Sequence, residues 1–196
     1  MVKFLSEAWP FTADAHKIPE DRIFSPMDNI AFRQAGIQDL SEIWEILEHA
    51  IARRKEEGSN QWQDGYPNTA VIQQDIEKGA GYVLTAAGVI AAYCAILVND
   101  EPEYANIKGR WLTSGDFIVY HRVAVSADFL GKGLARKMML CIEELALSRH
   151  IFSLKADTNR DNAGMLHLFT KLGYQYCGEV TFRGSPRKAF EKVLRQ

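Results

Sequence analysis

Gly131 and Gly133 stand where an apolar strand pattern runs into an amphipathic helical one across residues 123–139, with Lys132 between them and Arg136 just beyond. Such a turn can bind an anion. Glycine adopts backbone angles closed to other residues and leaves no side chain between main chain and ligand. The N–H groups of the turn then face the bound group, and the first helical turn adds unpaired donors and the positive end of its dipole. Together they favour a phosphate or pyrophosphate. A glycine turn also serves purely steric ends in α/β connections. The common phosphate fingerprints are absent: there is no G-x-x-x-x-G-K-[ST], and the G-x-G pair lacks the third glycine and the downstream acidic residue of a dinucleotide site.

Leu130 to Ala135 reads L-G-K-G-L-A and resembles the acyl-CoA pyrophosphate loop of the GNAT N-acetyltransferases, [QR]-x-x-G-x-[GA]. Gly133 and Ala135 fit, whereas Leu130 sits where the family usually has Gln or Arg. That departure removes one polar side chain and none of the backbone donors. Downstream, residues 151–156 alternate as a strand and lead through Asp157-Thr158-Asn159-Arg160-Asp161 to a helical run. Asn162, Met165, Leu168, Phe169, Lys171, Gly173 and Tyr174 there resemble the second GNAT signature, N-x-x-[AM]-x-x-[LF]-[YF]-x-K-x-G-[FY]. The resemblance spans about residues 30–194.

It implies a sheet whose fourth and fifth strands splay apart to admit the pantetheine arm of acetyl-CoA. Val123 and Val125 would pair with that arm through their main chain. Leu130, Gly131, Lys132, Gly133, Leu134, Ala135 and Arg136 would hold the pyrophosphate, Asn162 and Phe169 would border the cofactor, and no metal is implied. The chemistry is attack of a neutral amine on a thioester. An alkylamine near pKa 10 is mostly protonated at neutral pH, so a base must take its proton. His121 is the candidate, because it falls where many family members carry a strand-four Glu or His, and an ordinary imidazole pKa near 6.5 suits the task. In a regular strand it shares its face with Val123 and Val125; the alternative is a histidine that only orients Arg122 or a loop. His167, on the final helix, would instead touch the cofactor or solvent. The family frequently places a Tyr at the position of Phe169 to protonate the leaving thiolate, and a phenyl ring donates no proton. Tyr120, Tyr174 and Tyr176 are near in sequence without a clear role. A backbone N–H of the fourth strand would stabilise the oxyanion.

The 196 residues suffice for one domain that buries roughly 70% of its unfolded surface. A net charge of −2 gives no basis for a nucleic-acid or membrane partner. Cys94, Cys141 and Cys177 fit neither a disulfide framework nor a metal cluster and read as buried thiols. No apolar run approaches the length of a spanning helix and no signal core opens the chain, so a cytoplasmic protein is expected.

Residues 1–28, broken by Pro10, Pro19 and Pro26 yet carrying Phe4, Leu5, Trp9, Phe11 and Phe24, read as an apolar arm on a single domain over residues 29–196. A homodimer would give that arm cover. Residues 39–57 place Leu40, Ile43, Trp44, Leu47, Ala50 and Ile51 on one helical face. The loop over residues 59–67 carries Trp62 and Tyr66, which either contact the acceptor or fold back over the sheet. Asn68 or Thr69 caps a second helix, and residues 81–86 and 89–98 form a hairpin about Ala87-Gly88. Residues 99–111 are a polar insertion whose Glu101 and Glu103 are either solvated or meet a cationic acceptor. The order predicts an α/β fold, a mixed and mostly antiparallel sheet of six or seven strands with helices on both faces.

The expected function is transfer of an acetyl group from acetyl-CoA to a primary amine of a small molecule, or of a peptide, directly in a ternary complex. Leu130 and Phe169 motivate a rival, a catalytically silent acyl-CoA-binding sensor or interaction module. A nucleotide-binding protein unrelated to CoA is a third reading.

Overall fold

The computed structural model describes residues 29–195, so the arm expected over residues 1–28 lies outside the described residues. One sheet holds β1 (Ile30–Gln34), β2 (Gly81–Ala86), β3 (Val89–Val98), β4 (Lys108–Gly109), β5 (Ile118–Val125), β6 (Ser153–Thr158), β7 (Gln175–Phe182) and β8 (Ser185–Val193). Their spatial order is β1-β2-β3-β5-β6-β8-β7-β4. Among the described strands only β5 and β6 run parallel. This is the expected mixed sheet; the strand beyond the expected number is β4, too short to carry a period of two.

The helices α1 (Leu40–Glu56) and α2 (Thr69–Glu77) cover one face, while α3 (Leu134–Ser148) and α4 (Ala163–Leu172) cover the other. In α1, Ile43, Ile46, Leu47 and Ala50 recur at helical spacing and pack on Val83, Tyr93 and Ala124. Each of its larger side chains contributes about 1.5–3 kcal/mol by leaving water. Asn68 caps α2 by accepting from Val71 N, and Asn162 caps α4 by accepting from Met165 N. Gly173, at φ +81°, ends α4 in the left-handed conformation. Strand β6 starts later than its alternation predicts, because Ile151 N donates to Ala146 O and closes the end of α3 instead. Cys94, Cys141 and Cys177 are free and buried. Among the described residues no helix is long and apolar enough to cross a membrane.

Ahead of α1, Asp39 accepts from Gly36 N (2.7 Å) and from both terminal guanidinium nitrogens of Arg33 (2.6 and 2.9 Å), tying β1 to the helix. The Arg33 hydrogen bonds hold the Asp39 carboxyl below the ordinary carboxylate range, against the opposing effect of burial. A folded pKa below the unfolded one gives stability that is complete above about pH 4 and is lost as pH falls through the depressed value. Thermal melts are expected to show wild type above Asp39→Asn at neutral pH, with the gap closing below about pH 4.

Strands β5 and β6 pair only at Ile118–Leu154 and Val119–Lys155, then diverge. The rest of β5 is left without a β6 partner. On its other side, β3 pairs Tyr93 with Ala124 and Ala95 with His121, so Arg122 and Val123 together oppose Cys94. This is a β-bulge, and Arg122 takes φ +57° within it. The extra residue breaks the alternation. Ile118, Tyr120, Val123 and Val125 join the core under α3 and α4, whereas Val119 and Ala124 lie on the opposite face. His121 therefore does not share the face of Val123 and Val125, as a regular strand would require; its ring sits 6.5 Å from Phe182, which packs with Val119.

The insertion between β3 and β5 docks on the far edge of the sheet through β4. Gly109 and Gly178 cross there at φ +149° and +135°, and a Cβ on either would lie 2.1–2.3 Å from a facing backbone carbonyl oxygen. Only glycine allows that approach. Glu191, fully buried, holds the end of the insertion by accepting from Leu112 N and the Thr113 hydroxyl.

Candidate active site

Three connected spaces follow the divergence of β5 from β6. A groove of about 580 Å³ is lined by Trp62, Val123, Val125, Leu130, Ala135 and Asn162, among others. It shares Trp62, Val123 and Asn162 with a slot of about 60 Å³, which Tyr120, His121 and Phe169 also border. The slot in turn shares Tyr66, His121, Arg122 and Arg187 with a cavity of about 320 Å³ on the α2 side. A ligand in the groove and one in the cavity would meet at His121.

At the groove's end the glycine turn has the form expected of an anion cradle. Gly131 and Gly133 adopt φ +74° and +78°, and a Cβ on either would meet no atom within 4 Å. The space over the turn is open. Gly133 starts α3 without a side-chain cap, so the helix's first donors depend on another partner. Lys132 and Arg136 are exposed beside it, with Lys132 Nζ 4.9 Å from the Phe129 ring. Leu130 stands half exposed at the rim, while Leu134 is buried against Ala86, Ala91 and Phe129 and offers only main chain. Asn162 spends its oxygen on the α4 cap and its Nδ2 on Gln61 Oε1 at 3.2 Å, which fastens the Trp62 loop to the groove.

In the slot, His121 Nε2 lies 2.9 Å from Glu101 Oε2, with both side chains nearly buried. The two atoms are not aligned as a hydrogen bond, and Nε2 has no other partner among the described residues. The Tyr120 hydroxyl and Arg187 Nε likewise have no hydrogen-bond partner among the described residues, and all three atoms belong to residues that border this slot. Unpartnered buried polar atoms are rare in folded proteins. Burial pushes the Tyr120 phenol well up, with Tyr174 adding to the effect, so it stays a donor. Phe169 is fully buried against Tyr174 and Phe190 and carries no proton.

Behind the slot, Arg122 donates to Asp75 through Nη2 (2.7 Å) and Nε (3.0 Å) and to the Tyr66 hydroxyl through Nη1. The Tyr93 hydroxyl donates to Asp75 as well (2.6 Å), and burial pushes that phenol strongly up. Left-handed backbone at a non-glycine residue costs roughly 1–3 kcal/mol, and this network holds Arg122 in it. Asp157, at the end of β6, accepts from the Tyr104 hydroxyl (2.9 Å) and Arg187 (3.1 Å).

The three spaces bring together His121, Trp62, Tyr66, Val123, Val125, Leu130, Ala135, Asn162 and Phe169, while Gly131, Lys132, Gly133, Leu134 and Arg136 line none of them. His167 is exposed on α4 and borders none of the three spaces. Sequence reasoning left Glu101 as one of two loop carboxylates and missed Asp157 and Arg187. A carboxylate directly after an apolar strand pattern was a usable signal for Asp157; none marks Arg187, whose place comes from the pairing of β8 with β6.

The family model for GNAT acetyltransferases matches residues 42–174. The chain belongs to the GNAT family. Both GNAT signatures, residues 130–135 and 162–174, fall inside the matched span. A GNAT-family acetyltransferase from Streptococcus agalactiae 2603 is 34% identical, covering 87% of this chain and 98% of that one, with a TM-score of 0.80. Another from Listeria monocytogenes 4b F2365 is 24% identical, covering 84% and 95%, with a TM-score of 0.69. A Salmonella typhimurium protein solved with its cofactor acetyl-CoA shares the GNAT fold at 19% identity, covering 86% and 95%, with a TM-score of 0.63. None of the curated proteins compared matches the chain.

Proposed function

We propose that this GNAT protein acetylates a primary amine of a small molecule, drawing on acetyl-CoA in the groove, by direct transfer with His121 as the base. The observation that carries the reading is the convergence, at the slot that joins groove to cavity, of the His121–Glu101 contact with the Tyr120 hydroxyl and Arg187 Nε, both without a hydrogen-bond partner among the described residues. Acetyl-CoA supplies a thioester-activated acetyl group. The open turn at Gly131 and Gly133, the first turn of α3, Lys132 and Arg136 suit its pyrophosphate, and the unpaired edge of β5 at Val123 and Val125 suits its pantetheine amides. His121 takes the proton of the attacking amine and Glu101 stabilises the imidazolium so formed. The N–C bond forms as the C–S bond breaks, and the thiolate leaves with a proton. A thiol pKa of about 8.5 lets water serve as that proton's source where Phe169 cannot. The cavity of about 320 Å³ lies at the small end of ligand sites, which supports a small acceptor over a peptide.

Thermal unfolding with excess acetyl-CoA, with ATP and NAD as controls, tests the cofactor. A ligand at 100 times its Kd adds about 2.7 kcal/mol, and at roughly 2–4 °C per kcal/mol the midpoint is expected to rise several degrees with acetyl-CoA alone. No rise overturns the reading. Gly133→Val forces a branched side chain into left-handed backbone and into the open cradle, and is expected to abolish most of that rise while the far-ultraviolet spectrum is kept. An undiminished rise would place the phosphate loop elsewhere. Leu130 and Phe169 favour a second reading, an acyl-CoA-binding module without turnover; it predicts the same rise with no release of CoA thiol across a broad amine panel.

A further inference from the structure

Three of the residues that line the acceptor-side cavity are arginines, and they differ in what already neutralises them. Arg122 is committed to Asp75 and Tyr66. Arg187 is not. Its side chain is only 15% exposed and, among the described residues, only Nη1 makes a hydrogen bond, to Asp157, leaving Nε buried without a partner at the edge of the slot. Asp157 is itself shared with the Tyr104 hydroxyl. Arg183, on the β7–β8 turn, lies 4.0 Å over the Tyr66 ring and meets Asp64 at 3.3 Å, with both partners about half exposed. Exposed pairs of that kind are worth little and exchange readily with water or ligand.

The cavity's own carboxylate is not available to a cationic acceptor, because Glu101 faces His121. Phe182 connects the two halves of the site, its ring 6.5 Å from that of His121 and 4.9 Å from the Arg187 guanidinium. The base and a partly free guanidinium fork therefore flank one aromatic side chain. A planar fork with unused donors in a nearly dry site matches a carboxylate, and lone ammonium groups are poorly served there.

We infer that the acceptor amine also carries a carboxylate, as an α-amino acid does, with Arg187 and Arg183 holding the carboxylate while the amine faces His121. This rests on the acetyl-transfer reading of the same site. The test compares α-amino acids with their amides and their decarboxylated amines, and 2-aminoethyl phosphate with ethanolamine. Each is added to the protein saturated with CoA for thermal unfolding, and with acetyl-CoA for thiol release. The amino acids are expected to raise the midpoint more than their uncharged counterparts and to show KM values lower by about tenfold or more, as sites built around a polar group discriminate. Arg187→Gln is expected to erase both differences, leaving the KM for acetyl-CoA unchanged. Arg183→Gln, on an exposed turn, gives the same direction should the loss of the Asp157 contact unfold the first variant.

Arginine-dependent binding of amino acids without thiol release would sink the transfer reading and leave this inference standing. Thiol release that is as fast or faster with amines lacking a carboxylate would do the reverse. A response confined to 2-aminoethyl phosphate would assign the arginines to a phosphate and overturn the carboxylate. Absence of any binding difference, or a difference that persists in both variants, overturns the inference as well.

Discussion

His121→Ala is expected to lower kcat by about 10²-fold, the lower range for a positioned general base, while the KM for acetyl-CoA stays near wild type. The split follows from the geometry. His121 borders the slot and the acceptor-side cavity, and the groove that suits the cofactor is lined by other residues. Glu101→Gln keeps the size of the side chain and removes the charge beside the imidazole, so a smaller fall in kcat is expected, again with little change for acetyl-CoA. Steady-state kinetics with one accepted amine measures both. Unchanged turnover at neutral pH in His121→Ala would remove the histidine from the mechanism.

Asp75→Ala is expected to give the largest loss of stability, about 3–5 kcal/mol, because it leaves the Arg122 guanidinium unpaired in a nearly buried position. It also strips the Tyr93 hydroxyl of its acceptor. For a chain of this length the midpoint should fall by roughly 2–4 °C for each kcal/mol. The matching measurement is a paired replacement, Asp75→Leu with Arg122→Leu, which removes both charges and should be markedly less damaging to the fold. The paired variant is expected to lose activity nonetheless, since the bulge that presents His121 is anchored by the same ion pair. Equal stability of Asp75→Ala and wild type would mean that the pair contributes nothing to the fold.

Much of the architecture was legible because its signals are local. Asn162 and Gly173 bracket α4 with a cap and a left-handed stop, so both ends follow from single residues. Ala87 and Gly88, both at positive φ, mark the β2–β3 turn. The left-handed turn at Gly131 and Gly133 was readable for the same reason. The bulge in β5 was not, since nothing in Ile118 to Val125 announces an extra residue. It is set by the register with β3 and by an ion pair 47 positions away. Glu101 looked solvated because a polar loop gives no hint that its far end docks on β7. Arg187 and Asp157 meet only once β8 has paired with β6.

The crossing of Gly109 and Gly178 ties the segment that bears Glu101 to the outer edge of the sheet, away from the turn at Gly131 and Gly133 and from α3. On the proposed reading, the acyl donor rests on β5 and the turn after it near the middle of the strand order, whereas the segment that bears Glu101 is fastened at the edge. Lengthening, shortening or rewriting the insertion would alter the wall that Glu101 gives the cavity and leave the turn at Gly131 and Gly133 intact.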